Sequence, residues 1–242
     1  RPTVDVFAMP PKWIPQNLSF RQYVAVFDAI PLVQYLKNTA LLSVSVTAIT
    51  LTIGTLASYA IVRLRFRGRT ALQGAFLLAR LLPIITALVP LFLIVSRVGM
   101  LNTMGALIHT HVAFKLPVTI WLMQGFISAI PLEMEEAAAR DGCSVWMTIR
   151  KIVVPLILPG FAAAGTIAFL FTWNDLIIAL VLSSTPVTQP LSVGLSNFFL
   201  EHGIEWGPMS AAAVIMQLPA FIFAFFAQHY LIQGLTAGSV KG

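Results

Sequence analysis

The amino-acid sequence predicts an all-α, polytopic membrane protein with five transmembrane helices. Of its 242 residues, 58% are hydrophobic and 10% are charged, and the mean hydropathy is +0.87. A soluble protein carries about 25% charged residues, so this composition excludes an ordinary soluble domain. It also excludes a disordered chain, which requires low hydrophobicity. The charges are separated by long apolar stretches, and a helix of about 20 such residues crosses a bilayer.

Five stretches are long enough to cross the bilayer as single helices. They are residues 38–62, 71–95, 105–130, 156–182 and 209–233. The first carries no charged residue, the second only Arg80 and the fourth only Asp175. The third carries His109, His111 and Lys115 near its start, and the fifth carries one histidine. Each stretch therefore predicts one transmembrane helix.

Lysine and arginine in the short loops predict the orientation of the spans, because positively charged loops stay in the cytoplasm. Arg63, Arg65, Arg67 and Arg69 follow the first span, so this loop is predicted to lie inside. Alternation then assigns the other segments. Residues 131–155 and the tail 234–242 fall inside, whereas residues 1–37, the loop with Arg97 and residues 183–208 fall outside. The transmembrane domain so defined covers residues 38–233.

The first 37 residues are predicted to form an extended polar segment. Prolines at positions 2, 10, 11 and 15 favour extended backbone, and Trp13 suits a membrane interface. No signal-peptide pattern of basic, apolar and small-residue regions precedes this segment. Because the sequence starts at Arg1 rather than Met, we expect an upstream span that brings the total to six, with a cleaved leader as the alternative.

The net charge of +6 does not indicate a nucleic-acid partner. The basic residues are not clustered beside stacking aromatic residues on a polar surface, as such a partner requires. Membrane lipid is the partner that accounts for the basic loops. The single cysteine, Cys143, excludes a disulfide within the chain and any CxxC metal or redox motif.

The largest inside loop, residues 131–155, predicts two short helices that meet at a glycine. Pro131 suits a first helical turn, and the glutamates after it complement the positive end of the helix dipole. Gly142 is predicted to end this helix in a left-handed conformation, and Ser144 to cap the next helix. Such a unit fits a groove on a cytoplasmic partner. The alternative is a connector that packs only against its own spans.

The second loop helix is predicted to carry a single apolar face. The members of this face recur at helical spacing: Val145, Trp146, Ile149, Ile152 and Val153. Pro155 and Pro159 are predicted to force a break before the next span.

The same loop carries a fixed set of positions that resembles a known motif. Glu136, Ala137 and Ala138 stand together, Gly142 lies six residues after Glu136, and Ile152 and Pro155 lie ten and thirteen residues after that glycine. This pattern is similar to the EAA loop of the membrane subunits of bacterial ABC importers. The departures are small, with cysteine at 143 where the family often has alanine and valine at 154 where it often has leucine. The segments 172–175 and 233–242 resemble the carbohydrate-uptake, MalG-like branch.

The resemblance implies a type I ABC importer permease fold and a role as the permease subunit of an ATP-driven sugar importer in the bacterial cytoplasmic membrane. Its partners would be a second permease subunit, two ATPase subunits and an extracytoplasmic binding protein. ATP would be bound by the partners, so this chain would hold no cofactor and would not be an enzyme; it contains no GxxxxGK[ST] motif. The implied ATPase-coupling residues are Glu136, Ala137, Ala138, Asp141, Gly142, Trp146, Ile152 and Pro155.

Other classes of protein fit the sequence less well. An importer of the same architecture for a polyol or a glycerol phosphodiester shares these features and is the alternative for the solute. A channel or secondary transporter needs no ATPase, and the EAA loop argues against both. An intramembrane enzyme would need paired carboxylates, or a nucleophile beside a base, at workable spacing.

Four polar or aromatic residues within the spans are candidates for the solute path: Arg80, Trp173, Asn174 and Asp175. A carboxylate and an amide can bind sugar hydroxyl groups, and an aromatic face can cover the C–H side of a sugar ring. The alternative is a structural cluster, in which Arg80 pairs with Asp175. We favour the structural role for Asp175 and a path-facing role for Arg80. Pro83 and Pro90 are expected to open local bends.

The remaining polar groups have simpler interpretations. His109, His111 and Lys115 are expected to reach the outer membrane interface, and a metal site is not expected because residues two apart point to different sides of a helix. The outer loop carries a candidate landing surface for the binding protein, with an ordinary solvated loop as the alternative. Its residues are Glu201, His202, Glu205 and Trp206.

Overall fold

The computed structural model describes residues 20–81, 83–200, 203–204 and 206–237. Its helices are α1 Arg21–Ala29, α2 Leu32–Arg63, α3 Arg69–Leu81, α4 Ile84–Arg97, α5 Met104–Ser128, α6 Leu132–Arg140, α7 Val145–Thr148, α8 Val154–Leu156, α9 Leu158–Trp173, α10 Ile177–Leu182, α11 Leu191–Ser196 and α12 Trp206–Ala237. A π-helical turn, Ile149–Val153, joins α7 to α8. Strands β1 Phe199–Leu200 and β2 Gly203–Ile204 form a short antiparallel pair. The predicted all-α class is confirmed.

Three helices are each long and apolar enough to cross a membrane: α2, α5 and the part Trp206–Phe225 of α12. Two further candidates are bent pairs, α3 with α4 at 101° and the segment Val145–Leu156 with α9 at 77°. If each pair is one span, the described residues hold five spans, the number that the sequence predicts, although the second bent pair starts before the predicted stretch 156–182. The second span is broken beside Pro83, which has no N–H with which to continue α3, whereas Pro90 lies inside α4.

The fourth predicted span is also interrupted. Helix α9 ends at Trp173 and α10 begins at Ile177, so Asp175 lies in a gap between two helices. At the other end, the predicted break before this span is confirmed, because the chain bends by 77° between Leu156 and Leu158. The bend lies between Pro155 and Pro159, and Pro159 stands in the first turn of α9, where a missing N–H is tolerated.

The start of the described chain differs from the predicted extended segment. Residues 21–29 form α1, and α2 begins at Leu32, six residues before the predicted span. The cause is tertiary packing, because Val26 and Tyr35 are buried in one core cluster with Trp173. Residues 1–19, with the prolines noted above, lie outside the described residues, as do Glu201, His202, Glu205 and residues 238–242.

Helix α2 lies at the centre of the bundle, between α5 and α9. Gly54 permits the close approach of α2 to α5, because an added Cβ would lie 2.8 Å from Thr119 Cγ2. One turn later, Ser58 Oγ donates a hydrogen bond to the Ile120 carbonyl at 2.8 Å. We call the end of the bundle that carries residues 131–155 the loop end.

The opposite end is tied together by Asn102. This residue has φ +57°, a conformation that asparagine tolerates, and its Oδ1 accepts from the amides of Ser184 and Thr185 at 3.0 and 3.1 Å. From α2, Asn38 Nδ2 donates to the Pro186 and Gln189 carbonyls at 3.1 and 2.8 Å. The segment after α10 is therefore fixed to both α2 and the start of α5.

Candidate functional site

The first loop helix, α6, ends as the sequence predicts. Gly142 has φ +84°. The Gly142 amide donates to the Ala139 carbonyl at 3.1 Å, and the Cys143 amide donates to the Ala138 carbonyl at 2.9 Å. These two bonds form a Schellman motif, which satisfies the last carbonyl groups of a helix.

Two adjacent glutamates of α6, Glu135 and Glu136, have different environments. Glu135 is 8% exposed, and Ala138, three residues later, is also buried. Glu136 is 53% exposed and lies 3.6 Å from Arg140 in a surface ion pair. Ala137 is exposed on the same outer side. The inner face of α6 therefore packs on the bundle, and the outer face is available to another protein.

Glu135 is held by the end of α2. Arg63 Nε donates to Glu135 Oε1 at 2.7 Å, and Tyr59 Oη donates to Glu135 Oε2 at 2.8 Å. Arg63 Nη2 also donates to the Ile127 and Ile130 carbonyls at 2.9 and 2.7 Å. Arg63 thus connects the end of α2 to the end of α5 and to α6. We call Tyr59, Arg63 and Glu135 the latch.

The second loop helix begins at the predicted cap, since the Ser144 hydroxyl accepts from the Met147 amide at 3.3 Å. The prediction of one apolar face is only half right. Ile149 and Val153 are buried at 7% and 0% exposure, but Val145 and Trp146 are 59% and 62% exposed. The exposed pair lies in α7, whereas both buried residues lie in the π-helical turn that follows it, so the predicted face is divided where the helix geometry changes.

Exposed apolar side chains occur on both loop helices, on either side of the glycine turn. They are Leu132 and Met134 on α6 and Val145, Trp146 and Met147 on α7. Asp141 and Gly142 are also exposed, Ile152 is half-buried and Pro155 is exposed. Both loop helices therefore present apolar surface outside the core of the bundle.

Asp175 is the centre of a polar cluster inside the bundle. His111 Nε2 lies 3.6 Å from Asp175 Oδ1, and Lys115 Nζ lies 3.9 Å from Asp175 Oδ2. The same Oδ1 accepts a hydrogen bond from the Ile178 amide at 3.0 Å and so caps α10. The prediction of an Arg80–Asp175 pair is wrong, because the basic side chains next to Asp175 are His111 and Lys115 of α5, and Arg80 lies over the Trp121 ring at 5.8 Å.

His111 and Lys115 point into the bundle, contrary to the expectation that they reach the outer membrane interface. His111 is fully buried and Lys115 is 18% exposed, since both point towards the gap between α9 and α10. His111 Nδ1 lies 2.8 Å from the Leu107 carbonyl, whereas His111 Nε2 has no hydrogen-bond partner among the described residues. Of these three residues, only His109 is exposed. Among the described residues, no group of three metal-ligating side chains occurs.

Trp173 and Asn174 have different environments. Trp173 is 4% exposed, stacks on Phe169 at 5.3 Å and donates from Nε1 to the Met216 carbonyl at 2.9 Å. Its ring therefore belongs to the core between α9 and α12. Contrary to the prediction, Trp173 is not available to a solute. Asn174 is exposed, and its Oδ1 accepts from Gln217 at 3.2 Å.

Arg80 borders two neighbouring cavities. The first, of about 280 Å³, is also lined by Lys115, Phe114 and Phe171, and Lys115 Nζ lies 5.7 Å from the Phe171 ring centre. The second, of about 250 Å³, is lined by Gln73 and Gln124, which hydrogen-bond to each other at 3.1 Å. Cations, amides and aromatic rings thus meet where α3, α5 and α9 approach one another.

Sequence reasoning missed the latch and the histidine–lysine contribution to the cluster. In both cases a spacing of four residues was the available signal, since residues four apart lie on one helix face. Tyr59 and Arg63 have this spacing, and so do His111 and Lys115. The sequence does not show that these two helix faces point into the bundle.

The bundle and its exposed loop define a multi-pass membrane permease. Residues 29–237 match the model of the binding-protein-dependent transport system inner membrane component, and the chain belongs to this family. It is a family of transport proteins. The resemblance to ABC importer membrane subunits is thereby confirmed.

Relatives and solved structures agree with this assignment. A probable ABC transporter permease of Sinorhizobium fredii is 36% identical, over 98% of this chain and 85% of the relative. The trehalose transport system permease SugB of Mycobacterium tuberculosis is 34% identical, over 96% of this chain and 85% of the relative. A bacterial ABC transporter involved in import of the acidic polysaccharide alginate has a TM-score of 0.78 at 22% identity, covering 90% of this chain and 81% of that chain. The type I importer permease fold is confirmed.

Proposed function

We propose that this chain is one of two different permease subunits of an ATP-driven importer for a disaccharide or oligosaccharide. The proposal rests on the exposed outer face of α6, which ends at the Gly142 turn, and on the exposed apolar side chains of both loop helices. Two ATPase subunits bind ATP, and one of them receives this loop. A binding protein delivers the sugar at the opposite end of the bundle, and the complex lies in the bacterial cytoplasmic membrane. This chain itself holds no cofactor.

Each exposed residue of the loop has a physical role in this proposal. Glu136 offers a carboxylate to a polar group of the ATPase subunit, and the small Ala137 allows close approach at low entropic cost. Trp146 offers a large apolar surface, 62% of which is exposed. Closure of the ATPase pair would then rock the spans as rigid bodies and alternate access to the solute path.

A sugar is the solute that we propose, by analogy with the trehalose permease relative. Arg80 and the two cavities that it borders are the proposed path surface of this subunit. Arginine and glutamine side chains donate to hydroxyl oxygens, and the Phe114 and Phe171 rings can cover sugar C–H groups. Asn174 is exposed at the edge of the cluster and is a further candidate.

The decisive test is uptake by the assembled complex. This chain would be reconstituted in proteoliposomes with a second permease, the ATPase subunit and the binding protein of the same importer. We expect uptake of labelled trehalose or another oligosaccharide that requires both ATP and the binding protein. Uptake without ATP would identify a secondary transporter or channel. ATP-dependent uptake restricted to a polyol or a glycerol phosphodiester would identify the alternative solute.

The proposed orientation predicts the sides from which two cysteines react. Cysteine at Thr70 or at Ser184, in a Cys143→Ser background, should react with an impermeant thiol reagent from opposite sides of the membrane, Ser184 from outside. Both positions are exposed, and Ser184 contacts Asn102 through its backbone amide, so the substitution preserves that bond. Labelling with and without permeabilisation makes the measurement. Reaction of both cysteines from one side would refute the assignment.

A further inference from the structure

We propose that the latch is a positioning device that makes the coupling loop and α2 move together, and this proposal rests on the proposed function. Tyr59, Arg63 and Glu135 are positioning residues, since they lie on the inner side of α6 and leave its outer face exposed. Glu136 faces outward and Glu135 faces inward. Force applied to the outer face of α6 would therefore reach α2 directly through Glu135.

The latch holds Glu135 at two points. One carboxylate oxygen accepts from Arg63 at 2.7 Å and the other accepts from Tyr59 at 2.8 Å. Tyr59 and Arg63 lie four residues apart, so both donors come from one face of one helix. A carboxylate bound at both oxygens cannot rotate freely, and the adjacent turn of α6 is fixed with it.

Arg63 adds a third segment to the connection. Its Nη2 donates to the Ile127 and Ile130 carbonyls, at the end of α5 and in the turn before α6. These carbonyls lie where a helix terminus leaves acceptors without intrahelical donors. One guanidinium group thus joins α2, α5 and α6, which is possible because arginine presents its donors in a rigid fork.

Because the three latch residues are largely buried, the connection depends on all of them. Tyr59, Arg63 and Glu135 are 7%, 12% and 8% exposed, so little water is available to replace a lost partner. Removing one charge of a buried pair leaves the other uncompensated. Sliding of α6 along α2 would break the pair in the same way. The loop is therefore expected to transmit movement to α2 rather than to flex independently.

The readout must separate loose coupling from poor assembly. We would purify the complete importer and measure solute imported per ATP hydrolysed, with the loaded binding protein present. A purely structural defect lowers the number of complexes and reduces uptake and hydrolysis together. A loosened latch lowers uptake per ATP in complexes that are assembled.

Three latch variants and one matched control make the test. Glu135→Gln, Arg63→Lys and Tyr59→Phe each remove part of the latch, and Tyr59→Phe removes only one hydroxyl group. The control is Arg65→Gln, which removes an exposed charge two residues after Arg63, outside the latch and outside the outer face of α6. We expect Glu135→Gln to lower uptake per ATP by about fivefold or more, within the usual range for coupling between two sites. Smaller losses are expected for the other two latch variants, and none for the control.

The outcomes decide between the possibilities. Wild-type uptake per ATP in Glu135→Gln overturns the proposal. If Glu135→Gln does not assemble, wild-type ratios in both Arg63→Lys and Tyr59→Phe overturn it. An equal loss in Arg65→Gln also overturns it, because the effect would then not belong to the latch. A wild-type complex with no ATP-dependent uptake at all would instead refute the proposed function.

Discussion

Replacing Gly142 by valine is expected to reduce coupled solute uptake at least tenfold. The residue has φ +84°, and a side chain with a Cβ is penalised there by about 1–2 kcal/mol. A β-branched residue is an outlier in this region of backbone space. The Schellman bonds from the Gly142 and Cys143 amides would be lost, and the angle between the two loop helices would change. A change of about 1.4 kcal/mol is already tenfold in an equilibrium.

Gly142→Asn is the matched control for this substitution. Asparagine adds a side chain of similar size but tolerates a positive φ, so most of the coupling should remain. Within the described chain, no atom lies within 4 Å of the position that a Cβ would take, so neither variant clashes inside the subunit. Uptake and binding-protein-stimulated ATP hydrolysis would be measured in the assembled complex. Wild-type uptake in Gly142→Val would contradict the coupling role of this turn.

Replacing Asp175 by asparagine is expected to cause a large loss of assembled complex. Lys115 is 18% exposed and would remain with no carboxylate at Asp175. Breaking a buried ion pair by removing one partner costs about 3–5 kcal/mol. Asparagine is also a good helix cap, so it can still accept from the Ile178 amide. The substitution therefore isolates the charge from the cap.

The double variant Asp175→Asn/Lys115→Met tests the same point in reverse. With both charges of the pair removed, neither residue leaves an unpaired ion. Much of the lost yield of the complex should therefore be recovered. The measurement is the yield of intact complex after size-exclusion chromatography, beside uptake. A fully assembled Asp175→Asn complex with altered solute preference would contradict the structural role and place Asp175 in the solute path. Arg80→Gln should instead leave the yield unchanged and alter the concentration dependence of uptake.

The sequence alone determined the features that depend on local chemistry. Long apolar stretches predict membrane spans because a bilayer requires about 20 apolar residues in a helix. Gly142 predicts a left-handed turn because only a residue without a Cβ adopts that conformation at no cost. The spacing from Glu136 to Pro155 identified the loop and, through its resemblance to a family, the class of protein.

Tertiary structure decided which charges meet. The sequence offered Arg80 as a partner for Asp175, yet α5 brings His111 and Lys115 to it instead. The choice depends on how the spans are rotated and packed, and apolar faces that meet lipid or protein have the same composition. Hydropathy therefore places a charge along a span but does not indicate the neighbour that it faces.

The adjacent glutamates show the same limit within one helix. Glu135 and Glu136 are chemically equivalent side chains that stand next to each other in α6. Successive residues of a helix point about 100° apart, so only one of them can face the bundle. The position of Arg63 at the end of α2 makes Glu135 the buried partner and leaves Glu136 exposed. The packing of three helix ends, which lie far apart in the sequence, therefore determines which glutamate is buried.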